Sequence, residues 1–163
     1  MSTNVQPIPE GYRSLAPYLT CKDAARAIDF YKKVFGATEV VRMPGPGGAI
    51  MHAELQIGDS RMFIGDEFPG MSKAPDAHAP AAEHGFGTFV YTADVDSVVQ
   101  RAVDAGSRLD MPVQNQFWGD RYGKFTDPFG HGWAVATHVE DVSPEEMERR
   151  TAAMSKQMAQ AAG

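Results

Sequence analysis

His52 and Glu54 stand two residues apart in the run Ala49-Ile-Met-His-Ala-Glu-Leu-Gln-Ile57. In a strand, alternate residues share a face, so His52, Glu54 and Gln56 point one way while Ala53 and Leu55 point the other. A histidine beside a carboxylate is an acid/base pair or half of an irregular metal site. The same alternation also describes the polar face of any half-solvated sheet. A second stretch, Phe117-Trp-Gly-Asp-Arg-Tyr122, pairs two large aromatics with Asp120, Arg121 and Tyr122. Phe117 and Trp118 suit the wall of a cavity for a flat or hydrophobic ligand, or simple core packing. Alternation sets Asp120, Tyr122 and Lys124 on one face and turns Arg121 toward a carboxylate on the other. A bulge near Gly119 would reverse that parity. We take Gln56, Phe117, Trp118, Asp120, Arg121 and Tyr122 together as the candidate ligand-binding set, with His52 and Glu54 as the candidate catalytic pair.

The remaining chemically capable residues read as structural. Cys21 is the only cysteine, which excludes an internal disulfide and a thiolate metal cage. It lies between a strand and a helix cap, where a buried, inert thiol is expected, although a helix N-terminus lowers a thiol pKa. His78 and His84 fall in a connector and read as surface residues. His131 belongs to a turn, His138 to the exposed end of a strand, and Trp133 to the core. Gly45-Pro-Gly-Gly48 reads as a hairpin turn, not as a phosphate cradle.

The elements that must position these residues come in two similar sets. Asp23 caps a helix whose apolar stripe is Ala24, Ala27, Ile28, Tyr31, Val34 and Phe35, closed by Gly36. Asp94 caps a second, with Val95, Val98, Val99, Ala102 and Val103, ended by Gly106. A strand precedes each helix (14–21 and 86–93), and Pro17 gives the first an edge or bulge position. Three strands follow each: 38–43, 49–57 and 61–65, then 107–114, 119–126 and 132–139. The helix-closing glycines are 70 residues apart and the turns before the last strands correspond at 68 to 69. The chain is therefore read as two βαβββ modules, 13–66 and 86–139, neither able to bury its apolar face alone.

Residues 67–85, rich in Pro, Ala and Gly, form a connector that is either mobile or a lid. Residues 140–163 begin with Ser143-Pro144-Glu145-Glu146, a helix-start signature, and carry a Met147, Thr151, Met154, Met158 stripe. That stripe suits docking on the sheet or a contact with another subunit.

The 163 residues suffice for one domain, and 43% hydrophobic against 22% charged is a globular balance. Fifteen basic against 21 acidic residues give a net charge of −6 with no basic stripe, which argues against nucleic acid as a partner. No apolar run is long enough to span a bilayer. The N-terminus lacks a secretion signal, so a cytoplasmic protein is expected.

Pro17-Tyr-Leu-Thr20, the run from Asp23 through Phe30-Tyr31 to Gly36, Trp118-Gly-Asp-Arg-Tyr-Gly123 and Asp127-Pro-Phe-Gly-His131 together resemble the vicinal oxygen chelate superfamily. That group comprises glyoxalase I, the bleomycin-resistance proteins and the extradiol dioxygenases, and the wording is nearest its PhnB-like branch. The resemblance spans about residues 13 to 139. It implies an α+β fold in which two βαβββ modules form a curved mixed-sheet cup, here with an added C-terminal helix, and usually a homodimer.

It also implies four metal-ligand positions, which fall on Ala16, Glu54, near Gly87 and on Ala134. Only Glu54 is a ligand type, so no metal cofactor is expected, because a divalent transition metal wants three or four protein ligands. The function expected is binding of a small organic molecule in the cup without that metal. The net charge favours a cationic ligand. The alternative is a lyase, isomerase, hydrolase or other enzyme of the same superfamily using Glu54 and His52, with or without an atypical divalent metal. A third reading makes the tail helix a docking element for another protein.

Overall fold

The computed structural model describes residues 6–79 and 85–161. The first module runs β1 (Tyr18–Cys21), α1 (Ala24–Phe35), β2 (Thr38–Pro44), β3 (Ile50–Ile57) and β4 (Ser60–Asp66). The second runs β5 (Thr88–Tyr91), α2 (Val95–Asp104), β6 (Arg108–Asn115), β7 (Asp120–Thr126) and β8 (Gly132–His138), and α3 (Pro144–Ala161) follows. The sheet orders are β1-β4-β3-β2 and β5-β8-β7-β6, each mixed, with its first strand parallel to its last. This is the α+β, two-module arrangement expected.

Local chemistry sets the boundaries. Asp23 Oδ1 accepts from the Arg26 N–H at 3.0 Å, and Gly36 closes α1 in the left-handed region at φ 66°. Asp94 caps α2 in the same way through Ser97 N at 3.0 Å. Pro17 stands just before the edge strand β1, and its carbonyl accepts from Phe63 N at 2.9 Å. Pro46–Gly48 make a short 3₁₀ turn between β2 and β3, the hairpin turn expected there.

Strand registers refine the internal repeat. Thr38 pairs Gln56 and Arg108 pairs Thr126, so β7 follows β3 at an offset of 70. Tyr122 is therefore equivalent to His52 and Lys124 to Glu54, whereas the 68-residue offset of the turns would set Asp120 opposite His52 and Tyr122 opposite Glu54. The parity survives, because β7 pairs with β8 without interruption from Asp120↔His138 to Thr126↔Gly132. The irregularities lie in β6, between Leu109 and Gln114, and not at Gly119.

The modules share one core. From α1, Phe35 packs on Trp133 at 4.6 Å between ring centroids, and Tyr31 at 5.3 Å. Buried Asp127 accepts four bonds, from Tyr31 Oη (2.6 Å), Trp133 Nε1 (2.9 Å) and the N–H groups of Phe129 and His131 (both 2.9 Å). The Arg101 guanidinium donates to Val34 O, and the His131 ring bonds Thr20 O of the other module at 3.1 Å. Trp133 is thus core, as expected, and His131 does more than serve its own turn.

The described part of the connector, 67–79, lies against the body. Glu67 N donates to Cys21 O at 2.8 Å, and Ala74 is buried. His78 is exposed as expected, whereas His84 lies outside the described residues. Helix α3 carries no buried residue. Arg150 holds its base through Phe117 O, Glu140 and Glu146. Of its methionine stripe, Met147 and Met154 are half-buried, whereas Met158 is 66% exposed. No helix among the described residues is long and apolar enough to cross a membrane.

Candidate functional site

Ala53, Leu55, Leu19 and Ile64 enter the core, so the opposite faces of the first sheet's strands are left open. His52, Glu54 and Gln56 do share that open face. Glu54 is 8% exposed and is the centre of a cluster. Its carboxylate accepts from the Tyr12 hydroxyl and from Arg61 Nη1 at 3.1 Å, with His52 Nε2 at 3.4 Å. Gln56 holds Arg61 from the side, its Oε1 accepting from Nε at 2.8 Å. The Arg61 guanidinium lies 4.8 Å from the Tyr12 ring centre. The His52 ring packs against Phe63 and Tyr18.

Burial by itself would raise the Glu54 carboxyl. The Tyr12, His52 and Arg61 partners outweigh it, and the net shift is downward. Glu54 is therefore held ionised, with Oε2 accepting from Tyr12 and Arg61 and Oε1 facing His52, and a carboxyl with a lowered pKa is a weaker proton acceptor.

On the second sheet Asp120 is 3% exposed and accepts from Tyr91 Oη (3.0 Å), Trp118 Nε1 (3.0 Å) and His138 Nδ1 (2.9 Å). His138 Nε2 reaches Asp141 at 2.9 Å. Asp141 and then Asp120 raise its pKa above the ordinary value. Around Asp120 stands an aromatic wall. Phe89 meets Tyr91 at 4.9 Å and Tyr122 at 5.8 Å, and Trp118 meets Tyr122 edge-on at 5.5 Å. Phe117 packs edge-on against Trp118.

Arg121 is not part of this wall. It bonds Asp96 of α2 through Nε and Nη2, both at 2.6 Å, because alternation turns it to the helix side. Its grouping with the ligand-binding residues is corrected here. Asp120, likewise, is enclosed behind its three donors and acts by fixing the wall.

Between the edge strands β1 and β5 runs a groove of about 820 Å³. Tyr18, Arg61, Phe89 and Tyr91 line it together with Arg13, Leu15 and Phe86. Residues from both modules therefore meet in one cavity of the size small-molecule sites have.

Sequence reasoning singled out His52, Glu54, Gln56, Phe117, Trp118, Asp120, Arg121 and Tyr122, none of which lines this groove, and passed over Tyr12, Arg61, Phe89 and Tyr91. The last two carried the same signal, alternate positions in a strand. Arg61 is the cross-strand partner of Gln56. Tyr12 precedes the first strand and carried no signal.

The residues do not fit a family metal. Registers equate Ala134 of β8 with Phe63 of β4, through Phe89↔Ala134 and Tyr18↔Phe63. Ala16, Phe63, Gly87 and Ala134 offer no ligand atoms, and Glu54 sits one strand aside. Among the described residues no group of three or more His, Cys, Asp or Glu side chains is placed to hold a metal ion. Cys21 is buried, and burial followed by the nearby Asp127, Asp66 and Asp23 pushes its thiol up, as an inert thiol requires.

Comparison with known proteins agrees with this geometry. The chain is 39% identical over 163 residues to Rv0887c of Mycobacterium tuberculosis, covering 96% of this chain and 88% of that one. It superposes on TioX from Micromonospora sp. ML1 with a TM-score of 0.60 at 27% identity, covering 78% of this chain and 99% of TioX. It shares the fold of the PhnB protein from Bacillus cereus, with a TM-score of 0.59 at 14% identity over 77% of this chain and 99% of that one. A sequence model of the Glyoxalase/Bleomycin resistance protein/Dioxygenase superfamily matches residues 14–135. The paired βαβββ modules and that match across most of its length place this chain in the glyoxalase/bleomycin-resistance/dioxygenase superfamily.

Proposed function

We propose that this protein binds a small organic molecule in the groove between β1 and β5, without a metal at the superfamily's ligand positions. The observation that carries the reading is the groove itself. It is aromatic-walled and built from both modules, while the acid/base candidates beside it are already engaged with each other. A flat ligand stacking on such walls gains apolar burial together with the geometry-specific attraction of ring pairs. The reading includes a homodimer acting in the cytoplasm. Half-exposed Met43 and Met51, which lie outside the groove, support the dimer, since a second copy would cover them and leave Tyr18, Phe89 and Tyr91 to the ligand.

A superfamily enzyme using Glu54 and His52 is the second reading, favoured by the bonded Tyr12–Glu54–His52 array. Against it stands the depressed carboxyl, whose Oε2 accepts from both Tyr12 and Arg61.

The test is a thermal-shift screen of soluble aromatic compounds, run with and without EDTA, beside metal analysis of protein purified without a tag. Ligands that raise the melting temperature equally in both conditions support the proposal. A stoichiometric divalent metal whose removal abolishes binding overturns it.

A further inference from the structure

We infer that the groove selects an anion: a flat aromatic molecule carrying a carboxylate or comparable acidic group, with its ring against Phe89 and Tyr91 and its charge at Arg13 and Arg61. The inference rests on the small-molecule reading above and names the ligand class. It runs against the net charge of −6, which taken alone favours a cation. Local charge decides what a site takes, because bulk charge is screened beyond about a Debye length while groups lining an apolar cavity are not.

Among the described residues that line the groove, the cations are Arg13 and Arg61 and the sole carboxylate is Asp59. Arg13 is exposed and has neither a hydrogen-bond nor an ion-pair partner among the described residues. Arg61 is prearranged: Nε is held by Gln56, Nη1 by Glu54, and Nη2 has no partner among the described residues. A planar guanidinium fixed in this way loses little freedom on meeting a carboxylate. Glu54 is ion-paired to Arg61 at 3.1 Å and offsets its charge, so the unpaired cation of the groove is Arg13, while Arg61 contributes Nη2 as a fixed donor.

The ring surface is equally open. Phe89 is 48% and Tyr91 64% exposed, tilted together at 4.9 Å. Aromatic walls next to a buried carboxylate are also how a cation is held. Here that option is absent, because Asp120 is 3% exposed, does not line the groove, and has its oxygens turned to Tyr91, Trp118 and His138.

The experiment is calorimetric titration of wild type and Arg13→Gln with naphthoate, naphthamide and methylquinolinium, three probes of similar ring size and different charge. Wild type should bind naphthoate about tenfold more tightly than naphthamide, the scale of one hydrogen bond to a charged group. Methylquinolinium should bind weakest. In Arg13→Gln, naphthoate affinity should fall toward that of naphthamide, whose own affinity stays unchanged. Naphthamide or methylquinolinium binding as tightly as naphthoate overturns the anion assignment and leaves the small-molecule reading standing. A naphthoate preference that survives Arg13→Gln overturns it as well. No binding of any of the three overturns the inference, and only an empty thermal-shift screen extends that failure to the broader reading.

Discussion

Replacing Glu54 by Gln separates a structural carboxylate from a catalytic one. The substitution keeps the shape and one acceptor oxygen but removes the charge that Tyr12, Arg61 and His52 converge on. A hydrogen bond to a charged group contributes roughly 1.5–3 kcal/mol, and the remaining amide oxygen retains part of it, so a loss of about 2 kcal/mol is expected. For a domain of this size that lowers the melting temperature by about 4–8 °C. The pH dependence carries the sharper test. Glu54 has its folded pKa below the ordinary 4.5. Its contribution is therefore full above the unfolded value and disappears as pH falls through the folded one. Melting curves of wild type and Glu54→Gln at pH 7 and at successive steps below pH 5 should differ most at neutrality and converge in acid. Equal melting at pH 7, or a gap that persists in acid after both proteins still melt cooperatively, would refute the account of Glu54 as a charged anchor. Under the same account ligand binding survives the substitution with modest weakening, whereas an enzyme depending on Glu54 would lose turnover entirely.

Tyr31→Phe deletes one of the four donors to buried Asp127 and should cost about 1.5–3 kcal/mol in urea denaturation, with the other three preserving the fold. Arg121→Ala removes an ion pair whose partners are 36% and 54% exposed, so stability should change by less than about 1 kcal/mol and ligand affinity not at all, as paired titrations would record. Cys21 should resist a thiol reagent in the native protein and react only at the rate of opening, measurable by following labelling across a denaturant series.

Much of the frame was legible because it is written in local chemistry. The caps Asp23 and Asp94 and the glycines after the helices mark boundaries that need only a few neighbouring residues to form. Alternation in β3 placed His52 and Glu54 correctly for the same reason. Register was harder. The hairpin after β3 pairs Ile57 with Ser60 across two residues, whereas Asp127 N bonds His131 O across three. One extra residue, together with the irregularities in β6, shifts the second half against the first in a way spacing alone leaves open. The contacts of Tyr12 and Arg61 lay further out of reach. Tyr12 lies 42 residues from Glu54, and only the assembled sheet brings the two together. Arg121 shows the opposite lesson: its pairing toward the helices follows from parity, and its grouping with its neighbours by proximity in sequence did not hold.

The single core has a historical consequence. Tyr31 and Phe35 of one repeat find their packing partners, Trp133, Phe125 and Asp127, in the other. A free-standing half would leave an aromatic face in water and a carboxylate without its tyrosine. A single βαβββ unit with this sequence would therefore need a second unit in order to fold stably. Joining two such units through one connector makes the encounter intramolecular and holds the partner at high effective concentration. Once pairing no longer depended on abundance, the two halves were free to diverge, one toward the arginine-and-histidine face around Glu54 and the other toward the aromatic wall around Asp120.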